Sequence, residues 1–357
     1  MVISRFCVHL QKNLMIFMSR KFAFVVLLLA MISCGGREKL PRDAWNEDVY
    51  NGLISCVDKA PSNSYAVFDF DNTTIIGDIS MLLMEYMVEN MRFAFEPSES
   101  FDAFTSYIPA LDLELKGVGR TSRSLALEMS ADYTVLRSHI AKGESIEFLR
   151  NTEVWKRLKS NLFLLNDGIE NTFDYATWCS WAPGLLRGLT YAELTSLTKE
   201  SVGYWMGEEK LILPKETVDL FDYLRRKGVD IYLCSASLEV IVEAMACDPE
   251  FGLGFAPDHV FGVRLEKSEY VEGPLDATYP QTFLEGKVKC INQFMRGEHD
   301  GKDPVLIAGD SVGDVPMLTA FPKSVSLVYD CARSGAIADY IRTGACLVQP
   351  RYEYTKL

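Results

Sequence analysis

Two aspartates close an apolar stretch near residue 70. In VFDFDNTTI, residues 67–75, Asp69 and Asp71 follow apolar residues that are typical of a buried strand. Residues two apart on a strand point to the same face, so both carboxylates are predicted to lie together at the end of this strand. A buried carboxylate costs free energy unless a partner or a metal ion compensates its charge. The pair therefore indicates a site for chemistry.

Two more polar residues stand where other apolar runs end. The run VDIYLCS stops at Ser235, and PVLIAGD ends on Asp310. Strands alternate with helices from Pro214 onward, which predicts a parallel sheet flanked by helices. Ligands bind at the carboxyl ends of the strands in such sheets. We therefore expect Ser235 and Asp310 to lie close to the two aspartates.

Carboxylates that converge on one edge favour a particular chemistry. Oxygen ligands suit Mg²⁺, which keeps several waters and usually contacts phosphate. Beside such an ion one carboxylate can attack phosphorus and form an aspartyl-phosphate, while a second protonates the leaving oxygen. Phosphoryl transfer also needs positioning groups, and Ser235 and Lys287 fit these parts. The four histidines are widely spaced and no CxxC is present, which argues against zinc.

Four motifs in order resemble those of the haloacid dehalogenase-like phosphohydrolases. They are DFDNTT, the serine of YLCSAS, the lysine of EGKVKCI, and GDSVGD. The resemblance extends roughly from residue 65 to the C-terminus. It implies a phosphatase with a Rossmann-like α/β core of parallel strands and an inserted, mainly helical cap domain. The implied core comprises residues 63–78 and 214–357, and the implied cap residues 79–213.

The resemblance implies a metal site built by the first and fourth motifs. Asp69 would be the nucleophile and a Mg²⁺ ligand, and Asp71 the general acid/base with its backbone carbonyl on the metal. Asp310 would be a further metal ligand. Thr73 would steady the loop of the first motif, and Asp314 would support the metal shell or orient the lysine.

The second and third motifs would bind the phosphoryl oxygens. Ser235 and Lys287 are assigned this role, together with the backbone N–H of Ala236. Ser237 competes with Ser235, which is preferred because it directly ends the apolar run. Lys289 competes with Lys287, which is preferred because it follows a glycine at the start of the helix, as in the phosphoserine phosphatase branch.

The predicted cap indicates a small organic substrate, because caps close over a site and select the leaving group. The DFDNTT motif with Asp78 nine residues after Asp69 resembles bacterial phosphorylcholine phosphatases, and so does the predicted helix with Trp45 and residues 51–54. Aromatic faces with a carboxylate hold a quaternary ammonium, and Trp178, Trp181 and Asp78 are the candidates for this role. Packing of the tryptophans and helix capping by Asp78 remain alternatives. Also open are a phosphoserine- or sugar-phosphate-type phosphatase and a non-catalytic, lipid-anchored binding protein on the same scaffold.

Composition and the N-terminus bear on partners and location. The 357 residues carry a net charge of −13, which argues against a nucleic-acid partner. Residues 1–33 are predicted to be a leader, with Met18 as an alternative start, followed by a lead-in over residues 34–62. The basic and apolar segments before Cys34 resemble a lipoprotein signal. This predicts an exported bacterial lipoprotein, anchored to a membrane by lipid on Cys34 and facing the periplasm or the cell surface.

Overall fold

A computed structural model describes residues 39–351, and from Ala44 onward the described chain forms one compact unit. The predicted leader and Cys34 lie outside the described residues. None of the helices within residues 39–351 combines the length and the hydropathy that a membrane span requires.

A six-stranded, fully parallel sheet forms the core, which confirms the predicted α/β fold class. The strands lie in the spatial order β3-β2-β1-β4-β5-β6. Their bounds are β1 Ser64–Phe68, β2 Val229–Leu238, β3 Val260–Val263, β4 Leu306–Gly309, β5 Val325–Asp330 and β6 Leu347–Pro350. Because β1 lies between β2 and β4, the loop that follows β1 lies at the centre of the carboxyl edge.

Helices surround the sheet and fill the long segment between β1 and β2. The α-helices of the described residues are α1 Glu47–Asp58, α2 Ile79–Glu89, α3 Ser100–Phe104, α4 Ser122–Ala141, α5 Ile146–Arg150, α6 Glu153–Thr172, α7 Tyr175–Trp181, α8 Tyr191–Gly207, α9 Lys215–Arg226, α10 Glu239–Ala246, α11 Glu285–Cys290, α12 Val315–Ala320 and α13 Ala336–Arg342. The segment that contains helices α2 to α8 adds no strand to the sheet. Within this segment, α4 packs against α6.

Local sequence explains where several of these elements begin and end. All five residues of β1 are buried, and burial of a large apolar side chain contributes roughly 1.5–3 kcal/mol. Helix α9 begins directly after Pro214 and is followed by Gly228, whose φ of +71° suits a residue without a Cβ. The Thr121 hydroxyl accepts a hydrogen bond from the Ser124 N–H at 3.1 Å and so caps α4.

Two sequence-based strand boundaries were wrong. Strand β1 ends at Phe68, so Asp69 and Asp71 lie in the loop that follows it and not on one strand face. Strand β2 continues past Ser235 to Leu238, because pairing with β3 resumes at Leu238 after an irregularity that follows Cys234. The sequence analysis did not predict β6 and α13.

Candidate active site

A cavity of about 180 Å³ lies between the carboxyl edge of the sheet and the helices of the β1–β2 segment. The sequence-predicted residues on its wall are Asp69, Asp71, Asp78, Trp178, Trp181, Lys287 and Asp310. Ser235 is not on this wall, whereas the next two residues, Ala236 and Ser237, are. The structure thus brings residues from three of the four motifs to one cavity, and the second motif reaches it through the residues that follow its serine.

Lys287 connects the first motif to the fourth. Its Nζ lies 2.6 Å from Asp69 Oδ1 and 2.6 Å from Asp314 Oδ1, and its side chain is buried. Burial alone would lower the pKa of Lys287, but the two carboxylates together raise it well above its usual range. The lysine is therefore a permanent cation in the site. The alternative, Lys289, is exposed.

A close approach of two backbone segments sets the position of this lysine. Gly286 precedes it, and a Cβ there would come within 1.7 Å of the Gln281 carbonyl oxygen. A glycine is therefore required for the start of α11 to pack so closely. This observation gives a physical reason for the glycine on which the sequence-based choice of Lys287 depended.

Asp314 has both carboxylate oxygens engaged. While Oδ1 accepts from Lys287, Oδ2 accepts from the Asp310 N–H at 3.1 Å and from the Ser311 N–H and hydroxyl at 3.0 Å each. Gly309 leaves the necessary space, since a Cβ there would lie 2.6 Å from Asp314 Cβ. Asp314 thus contacts the lysine and organises the loop that carries Asp310, and its two predicted roles stay predictions.

Three buried aspartates could hold a cation. One oxygen from each of Asp69, Asp310 and Asp314 lies within 4.8 Å of the others. Because Asp314 already accepts four hydrogen bonds, Asp69 and Asp310 are the carboxylates that best fit an ion. Burial raises the pKa of Asp310 well above its usual range, as expected for negative charge that protein donors do not fully compensate. An oxygen-only donor set of this kind fits Mg²⁺.

The nucleophile candidate, Asp69, lies between these groups. Burial, followed by the neighbouring Asp314 carboxylate, raises its pKa to about 6, while Lys287 opposes this rise. The Asp69 carbonyl accepts a 2.7 Å hydrogen bond from the Thr74 hydroxyl, and the Thr73 hydroxyl lies 3.5 Å from Asp310 Oδ1. Thr74, which sequence reasoning missed, therefore fixes the backbone of the nucleophile more directly than Thr73 does.

Asp71 is held by two donors. Its Oδ1 accepts from the Ile79 N–H and its Oδ2 from the Ser237 hydroxyl, both at 2.7 Å. Ser237 in turn accepts a 2.8 Å hydrogen bond from the Ser80 hydroxyl. Burial, then the charges of Asp78 and Asp69, raise the pKa of Asp71 well above its usual range. A carboxyl group that takes up a proton readily suits a general acid/base.

Ser235 has a more internal position than predicted. The residue is fully buried, and its hydroxyl accepts a hydrogen bond from the Ser237 N–H at 3.1 Å. Its carbonyl accepts from the Thr282 hydroxyl at 2.5 Å, which links β2 to the segment before α11. Ser235 thus organises the end of β2, and its predicted contact with phosphate stays a prediction.

Part of the cavity wall is acidic and aromatic. Trp178 donates its indole N–H to Asn166 Oδ1 at 3.0 Å, and its ring meets that of Tyr175 edge-on at 5.6 Å. Trp181 is fully buried and donates to the Phe104 carbonyl, as a packing residue does. Asp78 caps α2 through the Met81 N–H at 2.9 Å, and its side chain also lines the cavity.

Several residues of the cavity carried no usable signal in the sequence. Glu170 and Tyr175 lie on helices of the β1–β2 segment, and Arg333 follows β5. None of them belongs to a short motif, and only the fold brings them to the site. For Arg333 a hint existed, because it follows another apolar strand whose carboxyl end must face the same edge.

Comparison with known proteins agrees with this geometry. The profile of the haloacid dehalogenase-like hydrolases matches residues 131–319, which is more than half of the chain. The chain belongs to the haloacid dehalogenase-like hydrolases. The match includes the second, third and fourth motifs, whereas Asp69 and Asp71 precede it. The predictions of this family and of an enzyme are confirmed.

Two similar proteins extend the comparison. A phosphorylcholine phosphatase from Pseudomonas aeruginosa is 22% identical over 302 residues, which cover 73% of this chain and 71% of that protein. A conserved protein of unknown function from Anaerococcus prevotii has a solved structure with a TM-score of 0.77 at 24% identity. The alignment covers 87% of this chain and 94% of that one. The second likeness shows a shared fold.

Proposed function

We propose that this phosphoric monoester hydrolase cleaves small phosphate esters whose alcohol carries an amine or choline group, with Asp69 as the nucleophile. The observation that carries the proposal is the arrangement of Lys287, which lies 2.6 Å from Asp69 in a cavity that also contains Asp71 and Asp310. This set supplies a nucleophile, a cation for phosphoryl oxygens, an acid and a metal ligand.

In the proposed reaction, a carboxylate oxygen of Asp69 attacks phosphorus, and the bond between phosphorus and the alcohol oxygen breaks. Asp71 donates its proton to that leaving oxygen, so that a neutral alcohol departs. Asp71 then removes a proton from water, which attacks the aspartyl-phosphate and releases inorganic phosphate. Lys287 neutralises phosphoryl charge throughout and keeps Asp69 in position.

A divalent cation fits this proposal. Asp69 and Asp310 would hold it through carboxylate oxygens, and Asp71 through its backbone carbonyl. When bound, Mg²⁺ supplies charge neutralisation for the phosphoryl group. Enzymes of this family generally use this ion, which makes Mg²⁺ the cofactor to test first.

The acidic and aromatic wall supports an amine-bearing leaving group. Trp178 and Tyr175 offer aromatic faces, and Asp78 and Glu170 offer negative charge on the same cavity. The relative from Pseudomonas aeruginosa is a phosphorylcholine phosphatase, which favours the same class at low sequence identity. Export and attachment to a membrane through lipid on Cys34 remain part of the proposal.

Hydrolysis of a generic aryl phosphate tests the enzymatic proposal. We expect Mg²⁺-dependent turnover by the wild type, and a loss of roughly 1,000-fold or more in Asp69→Asn, because the amide cannot attack phosphorus. Asp112→Asn is the matched control, since Asp112 is exposed and pairs with Arg123 on the surface. Turnover that Asp69→Asn leaves undiminished would contradict the proposal. Ligand binding by a wild type without turnover would favour the non-catalytic alternative.

The same assay with phosphocholine and phosphoethanolamine tests the leaving group. Asp78→Asn removes the charge, while the amide oxygen still caps α2. We expect this variant to lose activity on both amine-bearing esters, by roughly 10-fold relative to the aryl phosphate. An unchanged ratio would rule out an amine subsite at Asp78.

A further inference from the structure

Arg333 enters the cavity on a strained turn. It lies in the loop between β5 and α13, directly after Ala332, whose φ of +56° is in the left-handed region. Residues with a Cβ seldom adopt this conformation, because it brings the Cβ too close to the backbone. The Asp330 side chain supports the turn by accepting from the Ala332 N–H at 2.8 Å. A strained loop at a cavity is typical of a functional position.

The guanidinium of Arg333 faces the site with donors to spare. Its Nε donates to Asp310 Oδ2 at 2.8 Å, and its side chain is 43% exposed although it lines the cavity. Within residues 39–351 this is its one hydrogen bond. An arginine presents five N–H donors in a planar fork, so most of them remain available to a ligand.

Two acidic groups share the leaving-group side of the cavity with Arg333. Asp78 precedes α2, and Glu170 is near the end of α6. Burial raises the pKa of both carboxyl groups, and the positive charge of Arg333 opposes this rise in each. All three side chains line the same cavity. A leaving group bound among these side chains is therefore close to both a positive and a negative charge.

We propose that Arg333 binds a carboxylate on the leaving group while Asp78 and Glu170 bind its ammonium group. The preferred substrate is thus a phosphate ester whose alcohol is zwitterionic. This inference rests on the proposed function and narrows its substrate class. A leaving group that is only cationic, such as choline, would place its charge beside the arginine without compensation. A carboxylate instead accepts two parallel hydrogen bonds from the planar guanidinium.

Phosphoserine and phosphoethanolamine form a matched pair of probes, since they differ by one carboxylate. We expect wild-type enzyme to have the higher kcat/KM for phosphoserine. Arg333→Gln should reduce the ratio of the two kcat/KM values by about 10- to 100-fold, because it removes a charged hydrogen-bonding partner. Arg333→Lys should restore part of the ratio. The control is Arg342→Gln, since Arg342 is exposed on α13 and pairs with Asp339.

Two results would overturn the inference. The first is a ratio that Arg333→Gln leaves unchanged. The second is a wild type that hydrolyses the aryl phosphate yet prefers phosphoethanolamine or phosphocholine, or that accepts none of the amine-bearing esters. A wild type without any phosphatase activity would instead refute the proposed function itself.

Discussion

Asp71 receives its two hydrogen bonds from different parts of the chain. One donor is the backbone of Ile79 at the start of α2, and the other is the hydroxyl of Ser237 near the end of β2. Ser80 on α2 donates to the same serine. The acid/base candidate is therefore held between the sheet and the first helix of the β1–β2 segment.

Removal of the serine hydroxyl should slow the chemical step. We expect Ser237→Ala to lower kcat for an aryl phosphate by about 10-fold with little change in KM, because Asp71 loses a donor that positions its carboxyl group. Steady-state kinetics on a poor and a good leaving group provide the test, and the good leaving group should suffer less. Ser196→Ala on α8, where the hydroxyl bonds only its own helix, is the control. Equal kcat in wild type and Ser237→Ala would contradict this role.

Single residues divide into those that the sequence could predict and those that it could not. Asp69, Lys287 and Asp310 were found because each belongs to a short motif beside a recognisable strand or helix. Ser237 was considered only as a phosphate ligand. Its contact with Asp71 depends on three residues by which β2 exceeds its apolar run, and no pattern of apolar residues reveals that extension.

At the scale of elements, a buried arginine ties the last described strand to the nucleophile loop. Arg351 follows β6 and donates to the carbonyls of Asn72 and Thr73 and to the Thr217 hydroxyl on α9. Its guanidinium lies over the Tyr329 ring at 3.8 Å. These contacts fix two backbone carbonyls of the loop that carries Asp69 and Asp71.

Arg351→Met should destabilise the protein and disturb the loop. The variant retains an apolar side chain but leaves buried carbonyls without donors, so we expect a loss of about 1–3 kcal/mol in the free energy of unfolding. Urea denaturation measures this loss. Arg226→Met is the matched control, because Arg226 is exposed on α9. A free energy of unfolding equal to that of wild type would show that the hydrogen bonds of Arg351 do not stabilise the fold.

Strands β1, β2 and β4 were predicted because each is a compact apolar run that leads to a polar residue. Strand β6 was not predicted, because all four residues of Leu347–Pro350 are only half-buried and the segment ends in proline. An edge strand needs apolar contacts on fewer sides, so its sequence resembles a loop. The pairing with β5, and not its own composition, makes this segment a strand.

At the scale of the whole molecule, the site concentrates negative charge in the protein interior. Asp69, Asp71, Asp310 and Asp314 are close together, and Lys287 is the one buried ammonium group among them. Buried like charges oppose folding. A bound divalent cation would therefore stabilise the folded chain as well as serve catalysis.

Thermal unfolding with and without Mg²⁺ tests this coupling. At about 100 times its dissociation constant, an ion that binds only the folded state adds about 2.7 kcal/mol to the free energy of unfolding. We expect a rise in Tm for wild type and a much smaller rise for Asp310→Asn. Asp339→Asn, on the surface of α13, should keep the full rise. Equal rises in all three proteins would place the ion elsewhere.

The contact between Arg351 and the loop that carries Asp69 also has a consequence for biosynthesis. Asn72 and Arg351 are 279 residues apart in the chain, although their atoms are in contact. During translation the loop with Asp69 leaves the ribosome long before the arginine that holds it. A nascent chain that has not yet reached residue 351 therefore lacks the donors that hold the carbonyls of Asn72 and Thr73 in this loop.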